Sequence, residues 1–357
     1  MRLLAISSFL LWMGANAAVS PSARWVEKRS LAQIYDAALT EGGVVTVWHG
    51  GDEPNQMDGL KAAFEDAFPG ITLNLTIDLS KYHDGNIDKQ LAQNDVYVDS
   101  VILQTLHDFP RWKKQGALLN YAPVGFERVF PSLKDRDATY YGYIGLGWQL
   151  VWNGEKLPGN AIQDFTDFLR PELKDKLVLT YPNDDDAILF AFDLIIKQYG
   201  DKWFEDLLNQ NPRWVRGSAT PAAIMADPES PYAASFTTML GLGQAPSPFN
   251  VTFPRQGRHV TWAQTAAILK DAPHPEGAKL FHNFLLSRDF QAANGFWSVR
   301  SDVPAPAGQR SLISLPRSNP VEFRDFMADR ASVERLRFWF EDRIGTAQGL
   351  TPLGDDL

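Results

Sequence analysis

A chain of 357 residues with 45% apolar side chains, 11 Trp and 22 Phe has material for two lobes and a large core. Its formal net charge of −9, with no basic block, excludes a broad electrostatic grip on nucleic acid or anionic lipid. The absence of cysteine excludes disulfides, thiolate metal sites and thiol nucleophiles together, and a core this large needs no covalent staple.

The chain opens on Met1-Arg2, an apolar run from Leu3 to Met13 broken by Ser7 and Ser8, and the small residues Gly14-Ala15-Asn16-Ala17-Ala18. This pattern predicts a signal peptide over residues 1–17, cleaved after Ala17. It places the rest outside the cytosol: secreted and extracellular, or periplasmic in a bacterial host. No later run reaches the roughly 18 apolar residues of a membrane span, so no membrane insertion is expected once the signal is removed.

Residues 30–40 then read as an amphipathic helix through Leu31, Ile34, Tyr35, Ala38 and Leu39, ended by Glu41-Gly42-Gly43. A strand at 44–48, a polar loop at 49–54, a helix at 57–68 and a strand at 71–77 follow. A loop at 80–84, a short helix at 87–93 and a strand at 96–103 complete the first half. This alternation predicts a parallel, doubly wound α/β lobe. Residues 144–153 read as one strand whose Gly145 and Gly147 give a crossover its backbone freedom. Then come a short helix at 165–169, a strand at 176–180, a long apolar helix at 184–198, a helix at 203–209 and a strand at 214–215. A helix at 220–226 has Pro221 in its first turn. Residues 232–240 fit a strand or a strand with a helical start. Residues 259–269 are extended, 275–286 helical, 291–295 a helix end, and 321–344 a long helical region.

Three stretches carry a recognisable pattern: residues 43–52 (GVVTVWHGGD), residues 214–219 (WVRGSA), and residues 267–281 (AILKDAPHPEGAKLF) with its Pro-His-Pro-Glu turn. Residues 284–287 and 299–303 fit the same template. Over residues 43–306 the chain resembles the iron/thiamine/polyamine group of type II periplasmic solute-binding proteins. Residues 82–84 and 103–110 resemble a fungal secreted branch of that group. The resemblance implies an α/β fold of two doubly wound lobes joined by two crossing segments. Lobe one would hold residues 25–142 and 264–320, lobe two residues 143–263, and a C-terminal helical extension residues 321–357. It also implies a solute-binding component of the ABC-type transport kind, closing by hinge motion around a small polar ligand without catalysis. The sequence does not identify a transporter partner.

Ligands of open α/β sheets lie beyond the carboxyl ends of the strands, where helix N-termini present unpaired N–H groups. Four loops fit. In the first, His49, Gly50 and Gly51 allow close backbone approach, while Asp52 or Asn55 serves equally as a helix cap. In the second, Ser80, Tyr82, His83 and Asp84 are grouped for a polar solute, which requires a loop. The third holds Tyr181, Asn183, Asp184 and Asp185; with Asp186 it has more acids than capping uses, and the surplus suits a cationic group. The fourth holds Arg216, Gly217 and Ser218, with Arg216 either gripping an anion or bridging the lobe surface. The resemblance sets Trp262 against the ligand, ahead of Trp48 and Trp148, which serve equally as core. Acidic loops favour a cation and Arg216 an anion, so a small zwitterion satisfies both.

Ferric iron is the alternative solute. Iron binders of the resembled group use His and acid from one lobe with an adjacent Tyr pair from the other. The pair here, Tyr140-Tyr141, precedes the first crossing, and Tyr232-Ala233-Ala234 stands at the expected position. No resident metal or cofactor is expected. Thiamine-cleaving relatives need a Cys, and Gly-x-Ser-x-Gly is absent. Acid–base hydrolysis by Asp184–Asp186 with His83 is the remaining enzymatic alternative. Asn74 and Asn250 begin sequons for glycosylation in a eukaryotic host.

Overall fold

The computed structural model describes residues 25–159 and 161–354, so the expected signal peptide lies outside the described residues. The strand Val44–Gly50 is buried at all but its first residue. It pairs in parallel with Thr72–Asp78 and with Ser100–Leu103. Helices cover both faces of such a strand, which is why it reads as a β-branched run rather than an alternation. Beyond Ser100–Leu103 the sheet turns antiparallel, through Thr261–Ile268, Tyr141–Gly147 and Trp297–Ser298, to six strands. The helix Leu31–Glu41 starts on a capping box between Ser30 and Gln33, and it packs with Pro275–Leu285 over this sheet.

The second sheet is centred on Gln149–Asn153, flanked in antiparallel register by Ala234–Thr238 and Phe249–Thr252. A parallel pair, Val178–Thr180 with Arg213–Val215, adjoins it through the Leu177–Ala234 bridge. The α/β class holds, but the six-stranded sheet is mixed and the second sheet antiparallel rather than both being parallel, because the crossing strands run against the strands they join. Residues 234–238 resolve the open choice in favour of a strand. The helix Asp186–Tyr199 is buried from Asp186 to Ile195 and is apolar nearly all round, as a helix enclosed by core must be.

The expected single strand at 144–153 is two strands in two sheets, Tyr141–Gly147 and Gln149–Asn153, with only Trp148 between them. Its glycines serve close packing rather than backbone freedom. A Cβ on Gly145 would lie 2.6 Å from Leu312 and 2.9 Å from Trp297, and one on Gly147 2.8 Å from the Val260 carbonyl. The returning strand Thr261–Ile268 pairs with Tyr141–Gly147, so the expected lobe boundaries fall on two hydrogen-bonded neighbours. The C-terminal region is two helices, Glu322–Ala328 and Arg330–Ile344, broken where Asp329 caps the second. Phe323, Met327, Val333 and Phe340 are buried in one cluster with Phe192, Phe204 and Trp262, so this region is built into the second core. Among the described residues no helix is long and apolar enough to cross a membrane.

Candidate functional site

A cavity of about 530 Å³ lies between the two sheets. Its floor begins where Val44–Gly50 ends. The floor is tight here: a Cβ on Gly50 would meet Ser80 Oγ at 2.1 Å, displacing that hydroxyl, and one on Gly51 would meet Gln56 and Ile77 at 2.7 Å. His49 is buried; its Nδ1–H donates to the Gly50 carbonyl at 2.7 Å, which leaves Nε2 to accept from the Tyr143 hydroxyl at 2.7 Å. Burial lowers its pKa to about 4, so the ring is neutral and serves to position the floor. Trp148 and Trp262 meet at 5.0 Å between ring centres beside the floor, and the Trp262 indole N–H donates to Gln264 at 3.0 Å.

Facing this floor, the turn before the helix Asp186–Tyr199 brings three carboxylates to the wall. Asp184 accepts from Lys81 Nζ at 2.6 Å and from Arg216 Nε at 2.8 Å. Burial alone would raise its pKa, but these two cations hold it below the ordinary carboxylate range. Asp185 caps the helix, accepting from the Ile188 N–H at 2.8 Å. Burial, with Asp52 and Asp186 nearby, pushes it up to about 7 against the pull of that backbone bond. Asp186 pairs with Arg337 of the C-terminal helix and lies 4.0 Å from Arg330. Among the described residues neither Asp52 nor Asp185 forms an ion pair.

Polar contacts hold the lobes together around the cavity. Asp52 of the first lobe accepts from the Ser218 N–H at 2.7 Å and its hydroxyl at 2.6 Å. Lys81 reaches Asp184, Gln104 donates to Asp185 at 3.3 Å, and Arg216 donates to the Tyr82 hydroxyl at 3.0 Å. These contacts bridge the two sides of the cleft.

Of the residues expected at the site, His49, Gly50, Gly51, Ser80, Asp184, Asp185, Gly217, Ser218 and Trp262 are brought together on the cavity wall. Tyr82, His83, Asp84, Tyr181, Asn183 and Arg216 are not. The expected loop at 80–84 is the first turn of the helix Ser80–Gln93, which sends successive side chains in different directions. Tyr82 is exposed at the rim, while His83 is buried and stacked 4.9 Å from Trp48. The pairing of His83 with Asp184–Asp186 that hydrolysis required is therefore not assembled. Asp84 packs against Asp108 instead. Tyr181 is buried against Trp214, and Asn183 donates to the Gly345 carbonyl at 3.0 Å. Arg216 is the bridge, not the free anion grip. Of the adjacent Tyr pair that precedes the first crossing, Tyr141 is buried against His282 and Tyr140 packs on Phe109.

Sequence reasoning missed Lys81, Gln104, Tyr143, Gln264, Met239 and Arg337 on the wall. It left Asp52 open between ligand loop and helix cap; the helix Asp58–Ala67 has Met57 at its N-cap and no side-chain cap. Gln264 was within reach of alternation, since it stands two residues past Trp262 on the same face of one strand. Arg337 carried no local signal, because it meets Asp186 across 151 positions of chain.

Over residues 104–312 the sequence matches the family model of the bacterial extracellular solute-binding proteins. Curated proteins show no sequence match. In structure the chain is similar to iron-bound HitA from Pseudomonas aeruginosa, with TM-score 0.62, 17% identity, and coverage of 83% of this chain and 99% of that one. AfuA from Actinobacillus pleuropneumoniae, with exogenous fructose-6-phosphate bound, gives TM-score 0.65, 17% identity, 85% and 99%. The substrate-binding protein of an ABC transporter from Agrobacterium tumefaciens gives 0.69, 14%, 86% and 96%. At these identities the likeness establishes the fold. With the family model spanning more than half of its length, the chain belongs to the bacterial extracellular solute-binding protein family.

Proposed function

We propose that this protein traps a small polar solute carrying a positive charge between its lobes and releases it unchanged. One observation carries the reading: a cavity bridged by cross-lobe contacts holds two carboxylates, Asp52 and Asp185, that form no ion pair among the described residues. Nearby carboxylates repel, and a cationic solute relieves that repulsion in a site partly screened from water. An anion fares worse. The donors best suited to phosphate, the Ser218 N–H and hydroxyl, are already taken by Asp52. A zwitterion satisfies the site if its anionic group meets Lys81 or Arg337. HitA is a protein solved with iron and AfuA one solved with fructose-6-phosphate; the separation of Tyr140 and Tyr141 from the cavity argues against the first solute here, and the filled Ser218 donors against the second.

Secretion through the signal over residues 1–17 is part of the same proposal. So is glycan attachment at Asn74 and Asn250, which stand exposed on edge strands.

The test is a thermal-shift and native mass-spectrometry panel of thiamine, spermidine, ferric citrate, fructose 6-phosphate and a phosphonate. Expected are midpoints that rise with concentration for cationic members, at one solute per chain and with no conversion. Asp185→Asn should lose the rise. A response to ferric citrate or fructose 6-phosphate alone, or turnover of a bound cation, would overturn the proposal.

A further inference from the structure

Resting on that reading, we infer that the solute is an amphipathic organic cation, whose charged end meets Asp52 and Asp185 and whose apolar body fills a second compartment walled by Met57, Leu60, Met239, Phe290 and Phe296.

The cavity is larger than a bare ion or a compact diamine needs. Its volume of about 530 Å³ falls in the usual range for sites that enclose a whole small organic molecule. Its wall is divided by element. The carboxylates come from the loop after Val44–Gly50 and from the turn at 184–186. The apolar side chains come from elsewhere: the start of Asp58–Ala67, the end of Ala234–Thr238, and the helix Arg288–Ala293 with the turn after it.

These apolar groups form one neighbourhood. Phe64, one turn beyond Leu60, meets Phe284 at 5.4 Å, and Phe284 meets Phe290 at 5.1 Å. The Met239 end joins it through Leu242, whose N–H donates to the Gly295 carbonyl at 3.2 Å, beside Phe296. Met57, Met239, Phe290 and Phe296 remain only partly buried although all pack against the first core. Apolar surface left facing a cavity gains free energy when an apolar body displaces the water there. A bare ion or a fully hydroxylated sugar leaves that gain unused.

The test compares matched probes by calorimetry on the full chain. Tetramethylammonium carries the charge alone, benzyl alcohol the apolar body alone, and benzyltrimethylammonium both. Expected is one site per chain for benzyltrimethylammonium, at least about tenfold tighter than tetramethylammonium, with a negative heat-capacity change. Met239→Gln should erase most of that tenfold difference. Equal affinity for the two ammonium probes overturns the inference and leaves the cation-binding reading standing. Binding of benzyl alcohol alone, or of none of the probes, overturns both. The wild-type comparison decides the matter even if the variant fails to fold.

Discussion

Asp184 joins two charges from different lobes, taking Lys81 on one oxygen and Arg216 on the other. Removing its charge leaves both cations facing each other in a partly buried seam. Asp184→Asn should therefore weaken solute retention by about 1–3 kcal/mol, the usual cost of an orphaned charged partner, measurable as a faster dissociation rate. Asp84 presents the opposite case. Burial and the adjacent Asp108 carboxylate raise its pKa from 3.8 to about 7. The native state thus holds this proton more tightly than the unfolded chain does. Its contribution is full below about pH 4 and is lost as pH climbs through about 7. Asp84→Asn should be more stable than the parent at pH 8, by a few degrees of midpoint, and nearly equal to it at pH 3.5. Thermal melts across pH 3.5–8 would show this, and a uniform offset at every pH would contradict it. Asp185 gives a third expectation. Its pKa is raised to about 7, and a bound cation favours its charged form. Affinity for a cation should therefore tighten as pH rises through 7, with proton release seen by calorimetry in buffers of different ionisation heat.

At the scale of elements, the C-terminal helices are more than a tail. Phe340 is fully buried, with Phe192, Phe204 and Trp339 around it. Phe340→Ala should cost about 3–5 kcal/mol in denaturant unfolding. Gly145→Ala should also destabilise, by roughly 1–3 kcal/mol, because Leu312 and Trp297 leave no room for a methyl group. The regular elements were legible in the sequence because local signals made them. The apolar spacing of Leu31, Ile34, Tyr35 and Ala38 announced one helix, the β-branched run at 44–47 announced a strand, and Pro221 announced the start of a helix. The first turns of the Ser80 helix were not legible, although its second half was, at 87–93. Its first turn carries Tyr82, His83 and Asp84 around Gly85, and its side chains are held by Trp48, Asp108 and Arg216, all brought in by the fold. The acidic turn at 184–186 was readable as an acid excess, but its three separate roles were set by Lys81, Gln104 and Arg337, which no sequence spacing connects to it.

For the whole molecule, the two sides of the cleft are joined by their own side chains. Asp52 seats itself on the Ser218 N–H and hydroxyl, and Lys81 on Asp184, across the opening. A protein latched by its own side chains should spend much of its time shut when empty. Small-angle scattering should give similar radii of gyration for the free and solute-saturated protein. Asp52→Ala with Lys81→Ala should enlarge the free form and leave the saturated form compact. A large contraction of the unaltered protein on adding solute would contradict this.

Trp148 alone separates a strand of one sheet from a strand of the other, and the same indole borders the chamber. One indole thus borders both the cargo space and the joint between the halves. A substitution that enlarges or trims that ring should change which guest fits and how the two sheets are set against each other.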